Sequence, residues 1–156
     1  MSITIGAEAP DFTLPDTNKQ QVTLSSLRGQ NVLLLFFPFA FTSTCTRELC
    51  GVRDSIADYS GLNAKVYGIS VDSVFTLIKY KEDQHLNFDL LSDFNKEVSL
   101  LYNTIYESFS FGMRGVSKRS AFLIDKEGIV RYAEVLENAS EIPNLEAIKE
   151  TLKLLQ

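Results

Sequence analysis

The stretch Asn31-Val32-Leu33-Leu34-Leu35-Phe36-Phe37-Pro38-Phe39-Ala40-Phe41-Thr42-Ser43-Thr44-Cys45-Thr46-Arg47-Glu48-Leu49-Cys50 decides how the chain is read. Val32 to Phe37 is apolar without a break. A short run of that kind, with no polar alternation, suits a strand buried on both faces. Pro38 has no backbone N–H to offer a ladder and ends the strand. Leu49, Val52, Arg53 and Ile56 then recur at helical spacing and predict a helix from near Thr44 to about Tyr59. Cys45 falls in the first turn of that helix, just past the carboxyl end of a buried strand. In open α/β sheets ligands favour that place.

The pattern continues on both sides. Thr4 to Asp16 reads as irregular and extended, punctuated by Pro10 and Pro15. Gln21–Leu24 reads as a short strand and Ser25–Gly29 as a turn closed by glycine. Downstream, Lys65–Asp72 is a second buried strand, Ser73–Gln84 a helix and Phe88–Leu91 a third strand. Asn95 is expected to cap a helix reaching about Tyr102. Residues 103–117 show no clear period. Ser120–Asp125 and Ile129–Val135 read as a hairpin turning at Lys126-Glu127-Gly128. Pro143 suits the first residue of a last helix. Strands alternating with helices, then a late hairpin, predict an α/β domain with a central mixed β-sheet flanked by helices. The order fits a thioredoxin-like fold.

At 156 residues the chain is expected to be one domain, residues 1–156, with a core large enough to need no disulfide staples. A net charge of -5 argues against a nucleic-acid surface, which needs clustered Lys and Arg. No apolar run approaches a membrane span. Met1 to Gly6 shows no basic segment followed by an apolar one, so no signal peptide is expected, and the cytoplasm is the expected compartment. Thiols are kept reduced there, and two cysteines five residues apart do not read as a permanent staple.

At a helix start, unpaired N–H groups and the positive dipole end favour a thiolate, the nucleophilic form, over a thiol. Thr42 can offer a hydroxyl to the sulfur or to a bound oxygen. Pro38 can wall one side. Against this, a free cysteine is among the most buried residue types and often only packs. The residues alone leave both readings open.

Pro38-x3-Thr42-x2-Cys45 resembles the active-site signature of peroxiredoxins. Ala9-Pro10-Asp11-Phe12-Thr13-Leu14, Gly68-Ile69-Ser70-Val71-Asp72, Leu90-Leu91-Ser92-Asp93 and Arg119-Ser120-Ala121-Phe122-Leu123-Ile124-Asp125 resemble segments of that family in the same order. The likeness spans roughly residues 5 to 155. It implies that Cys45 is the peroxidatic cysteine, that Thr42 hydrogen-bonds thiolate and peroxide, and that Pro38 shields the sulfur. It implies that Arg119 sets a guanidinium beside the sulfur, and that Glu48 steadies that arginine. Without the resemblance, Arg119 reads as an exposed strand-edge charge and Glu48 as a solvated helix residue. The implied activity is reduction of hydrogen peroxide and organic hydroperoxides through a Cys45 sulfenic acid, with no cofactor or metal. The implied reductant is thioredoxin, glutaredoxin or a low-molecular-weight thiol, and a homodimer is compatible with it. A peroxide-sensing or chaperone-like redox protein on the same fold is the alternative.

Two subfamilies contribute to the likeness. Cys50 stands where the Q-type, or bacterioferritin comigratory, proteins carry a resolving cysteine. Phe36-Phe37-Pro38-Phe39-Ala40-Phe41-Thr42 is closer to the alkyl hydroperoxide reductase E type, often a one-cysteine enzyme. On an ideal helix, residues five apart have Cα atoms roughly 8.7 Å apart. A disulfide wants about 4.4–6.8 Å, so resolution by Cys50 requires local unwinding. Phe39, Phe41, Tyr106, Phe109 and Phe111 are candidates for an apolar collar around an alkyl peroxide, or simply for packing. Cys45-x4-Cys50 is not a Cys-x-x-Cys dithiol. Two cysteines and His85 do not complete a structural zinc site. His85 lies in a polar helical stretch and reads as a surface residue. There is no P-loop or dinucleotide glycine fingerprint.

Overall fold

A computed structural model describes residues 3–156. Along the chain come β1 (Thr13–Pro15), β2 (Gln21–Thr23), β3 (Asn31–Phe36), α1 (Ser43–Asp54), α2 (Ile56–Ser60), β4 (Ala64–Ser70) and α3 (Val74–Gln84). They are followed by β5 (Asp89–Ser92), α4 (Glu97–Leu101), β6 (Ile105–Tyr106), β7 (Val116–Ser117), β8 (Ser120–Ile124), β9 (Val130–Val135) and α5 (Leu145–Leu154). The central sheet has five strands in the order β5-β4-β3-β8-β9. β3, β4 and β5 are parallel, and β8 and β9 run antiparallel to their neighbours.

β3 is the middle strand, and all six of its residues are buried, which explains the unbroken apolar run. Leu33, Leu35 and Phe37 face one core, packed with Leu49 and Val52 of α1, Leu77 and Tyr80 of α3, and Ile148 and Leu152 of α5. Val32, Leu34 and Phe36 face the other, with Phe12, Leu24, Tyr102 of the α4 C-cap and Phe122. The period of two along the strand thus builds two layers from one apolar run. Register brings three strand ends together, because Phe36 pairs with Ile69 of β4 on one side and Ser120 of β8 on the other. The loop after β3 and the residue before β8 therefore meet.

Local departures from the sequence reading have physical causes. Thr4–Asp16 is not irregular throughout: Thr13–Pro15 pairs with Gln21–Thr23 as an antiparallel ribbon. The helix expected to reach Tyr59 breaks at Ser55, whose ψ is 24° and whose hydroxyl donates to the Gly51 carbonyl. Asn95 does not cap α4. Lys96 is the N-cap residue in a left-handed conformation, and Asp93 accepts from the N–H groups of Val98 and Ser99. Pro143 is not the first residue of the last helix. Asn144 is its N-cap and accepts from Ala147 N–H at 3.0 Å. His85 ends α3 as an exposed left-handed C-cap, outside the helix proper.

Candidate active site

Phe37 to Thr42 carries the chain from β3 into α1. The Phe37 N–H donates to Ile69 O, and Ala40 N–H donates to Asp72 Oδ2 at 2.8 Å. The same Asp72 oxygen accepts from the Ser70 hydroxyl at 2.7 Å. Burial pushes the Asp72 carboxyl up, and these two bonds oppose it. Asp72 thus ties the loop to the carboxyl end of β4. Pro38 is buried within the loop. Phe41, at φ +67°, sits in the left-handed region costly to a bulky residue, with its ring 5.0 Å from Tyr80. The turn is therefore held by its anchors rather than by local preference.

Thr42 is the N-cap residue of α1, but its side chain does not cap the helix. Its hydroxyl donates to Phe39 O at 3.0 Å. The first-turn N–H groups, among them that of Cys45, have no side-chain cap. Cys45, Glu48, Leu49 and Val52 form the buried face of the helix. Helical spacing puts Glu48 one turn on from Cys45 on that face.

Arg119 precedes β8 and is only 2% exposed. Its Nη2 donates to Cys45 Sγ at 3.1 Å, its Nη1 to Glu48 Oε1 at 2.8 Å and its Nε to Ala139 O at 2.9 Å. Further bonds fix its backbone. Arg119 O accepts from Leu136 N–H at 2.9 Å, and the Tyr106 hydroxyl donates to Leu136 O at 2.6 Å. The guanidinium is thus a three-way clamp between α1, β8 and the loop after β9. Burial works against its charge, but the Cys45 sulfur and Glu48 outweigh that and hold the cation firmly. Burial pushes the Glu48 carboxyl up to about 7; Arg119 pulls the other way, and Glu134 adds to the rise. Glu48 Oε2 is buried without a hydrogen-bond partner.

A small cavity of about 180 Å³ opens on this clamp, lined by Thr42, Ser43, Thr44, Phe109, Ser110, Arg119, Ala139 and Ser140. Of the aromatic collar, Phe39 and Phe109 pack edge to face at 6.0 Å, and Phe109 stacks on Tyr106 at 5.8 Å. Phe41 turns instead toward Tyr80, and Phe111 is 99% exposed. Cys50 is half-buried and apart from the clamp, with its Sγ 3.6 Å from Gln84 Oε1. Both cysteines are free. Among the described residues, no cluster of His, Cys, Asp and Glu is placed to hold a metal, and no helix is long and apolar enough to cross a membrane.

Residues 5–133 match the AhpC/TSA family. The chain belongs to that family and is a peroxiredoxin. It is 40% identical over 136 residues to an alkyl hydroperoxide reductase E of Mycobacterium tuberculosis, covering 85% of this chain and 86% of that one. It is 39% identical over 132 residues to a putative peroxiredoxin bcp of Coxiella burnetii, covering 83% and 87%. The solved structure of peroxidoxin BcpB from Mycobacterium tuberculosis superposes with a TM-score of 0.87 at 28% identity, over 99% of each chain. The fold is thioredoxin-like, and the activity is that of a thiol-dependent peroxidase, acting on peroxide with a thiol as reductant.

Arg119 bridges Cys45 and Glu48, and Thr42 lines with Arg119 the cavity beside them. Arg119 is buried rather than an edge charge, and Glu48 is buried rather than solvated. Asp72 and the Ala139 carbonyl were not singled out from sequence as parts of the site, and Tyr106 was expected only as a collar aromatic, not for its hydroxyl bond to Leu136 O. Asp72 carried a signal, since it is an acidic residue at the carboxyl end of a buried strand. Ala139 acts through its backbone and carried none.

Proposed function

We propose that Cys45 is the thiol that attacks the hydroperoxide. The observation that carries this is the Arg119 guanidinium donating to its sulfur at 3.1 Å beside a small open cavity. The sulfur takes one peroxide oxygen and the O–O bond breaks. The other oxygen leaves with the bonding pair as hydroxide or alkoxide and is protonated. Arg119 and the uncapped N–H groups of α1 stabilise the charge moving onto the leaving oxygen. The Thr42 hydroxyl already gives its proton to Phe39 O, so it serves as an acceptor for the peroxide O–H. Pro38 contributes bulk and no competing donor. The cavity's size favours hydrogen peroxide and small alkyl hydroperoxides, with Phe109 as its apolar wall.

The sulfenic acid on Cys45 is then condensed with a thiol, releasing water. Cys50 fills that role in this reading, and α1 must unwind locally, since an intact helix holds the two Cα atoms roughly 8.7 Å apart. Helix ends open at low free energy. Thioredoxin, glutaredoxin or a low-molecular-weight thiol then reduces the disulfide. A single domain, a cytoplasmic location and a homodimer complete the proposal. The test is intact mass after one equivalent of hydrogen peroxide. Loss of two hydrogens, with a small drop in helicity, is expected. A stable gain of one oxygen on Cys45 would assign the one-cysteine route, and an unchanged Cys45 would remove it from the reaction.

A further inference from the structure

Arg119 is one cation placed between two groups that can each be an anion. Cys45 Sγ and Glu48 Oε1 accept from its two terminal nitrogens at 3.1 and 2.8 Å. Both acceptors are fully buried, and so is Glu48 Oε2, which has no partner at all. A carboxylate with an orphaned buried oxygen is costly, whereas a carboxylic acid can carry its proton on that oxygen. Two buried anions on one cation leave an unbalanced negative charge in a low-dielectric site; one anion leaves none. Glu134 of β9 adds further negative charge, and the Glu48 charge also raises the phenols of Tyr59, which is buried without a partner, and of Tyr80, which pairs with the Thr46 hydroxyl.

We propose that Cys45 and Glu48 share a single proton across Arg119. Glu48 is the carboxylic acid while Cys45 is a thiolate, and it ionises when oxidation turns Cys45 into a neutral sulfenic acid. This rests on the reading of Cys45 as the reacting thiol. The balance is: thiolate, carboxylic acid and hydroperoxide give sulfenic acid, carboxylate and alcohol or water. The S–O bond forms and the O–O bond breaks, sulfur is oxidised and the peroxide is reduced. The leaving oxygen gains a proton as Glu48 gives one up, whether directly or through solvent. With Arg119 cationic throughout, the buried trio is neutral before and after. Glu48 is then a positioning residue with a redox-linked proton. The upward shift of its carboxyl, which burial causes, agrees with this.

The experiment counts protons. The Cys50→Ser protein, which stops at the sulfenic acid, is mixed with hydrogen peroxide on the acid side of pH 7, where Glu48 holds its proton, in weak buffer containing an indicator dye. Infrared difference spectra are recorded in parallel on protein carrying carboxyl-labelled glutamate. No net proton uptake per Cys45 oxidised is expected, with loss of one isotope-sensitive carboxylic-acid band. Adding Glu48→Gln should restore uptake of one proton and abolish the band change. Uptake of one proton without a lost band, in protein whose mass shows oxygen on Cys45, would overturn the sharing and leave the peroxidatic role standing. Protein that gains no oxygen on Cys45 would instead overturn the reading on which it rests. The labelled spectra of the protein with Glu48 intact decide the matter even if the Gln variant fails to fold.

Discussion

Replacing Arg119 by Met keeps an unbranched apolar stem of similar reach and deletes the charge and all three donors. Two separable effects follow. The first is kinetic. The lost donor faces the Cys45 sulfur at 3.1 Å, the reacting atom of the proposed step, and removing one preorganised donor at a developing charge costs about 10²–10³ in rate. The second is on stability. Glu48 Oε1 and Ala139 O lose their partner, which costs about 1–3 kcal/mol. A pH-dependent part adds to it. In the wild type Glu48 ionises at about 7, so the cost of keeping it protonated stops growing there. Without the guanidinium the carboxyl stays protonated to higher pH, and the variant loses about a further 1.4 kcal/mol for each pH unit above that point. The Arg119→Met, Glu48→Gln double variant should recover the pH-dependent part and none of the rate. Stopped-flow oxidation by hydrogen peroxide and urea unfolding, each followed across pH, measure the two effects. An Arg119→Met protein that reacts within about threefold of wild type would refute the assignment, the loss of a working donor being far larger. Recovery of rate in the double variant would refute it equally, by showing that Arg119 acts only to neutralise Glu48.

Glu48 is raised in the fold from 4.5 to about 7, so the stability tied to its protonated form is complete below pH 4.5 and lost as pH rises through 7, in total about 3 kcal/mol. The difference in unfolding free energy between wild type and Glu48→Gln should follow that slope, and a difference flat with pH would contradict it. Cys50→Ser should accumulate a sulfenic acid that dimedone traps, where the wild type forms an internal disulfide; equal trapping in both proteins would exclude Cys50 from the cycle. Gly68→Ala places a Cβ 2.7 Å from Leu90 Cδ2 and 3.2 Å from Phe37 Cε1 in the middle of the sheet, and should cost about 1–3 kcal/mol in chemical denaturation.

The sheet was legible because burial on both faces leaves a short unbroken apolar run, and its length and the flanking Pro38 favour a strand over a helix. Val32 to Phe37 read as a strand buried on both faces, and β3 is the middle strand with neighbours on both sides. The placement of Cys45 at a helix start followed from Pro38 and the spacing of Leu49 and Val52. The turns were less legible. Asp93, not Asn95, caps α4, because the cap is set by which side chain reaches the Val98 and Ser99 N–H groups rather than by position along the chain. The partnership of Cys45 with Arg119, 74 residues apart, had no local signal and came from family likeness alone. It becomes physical only through register: Phe36 pairs with Ser120, so Arg119 is carried to the end of β3. Phe41 and Phe111 show the opposite failure, since aromatic residues close in sequence to a site need not face it.

In the proposed cycle, the clamp that prepares Cys45 for attack also opposes the resolving step assigned to Cys50. Arg119 holds the sulfur and Glu48, both on α1, to β8 and to the loop after β9, so the first turns of the helix cannot unwind while these bonds persist. Oxidation weakens one of them. A sulfenic acid is neutral, and its hydrogen bond with the guanidinium loses the charge assistance a thiolate gives, roughly half of its strength. Glu48, ionising as Cys45 turns neutral, becomes the stronger partner for Arg119. The cation shifts its allegiance from the residue that has reacted to the one that stays, and Cys45 is released near the end of α1, where opening is least costly. On this proposal peroxide attack and resolution need opposite conformations of one helical turn, and the proton that Glu48 gives up on oxidation biases the turn from the first toward the second.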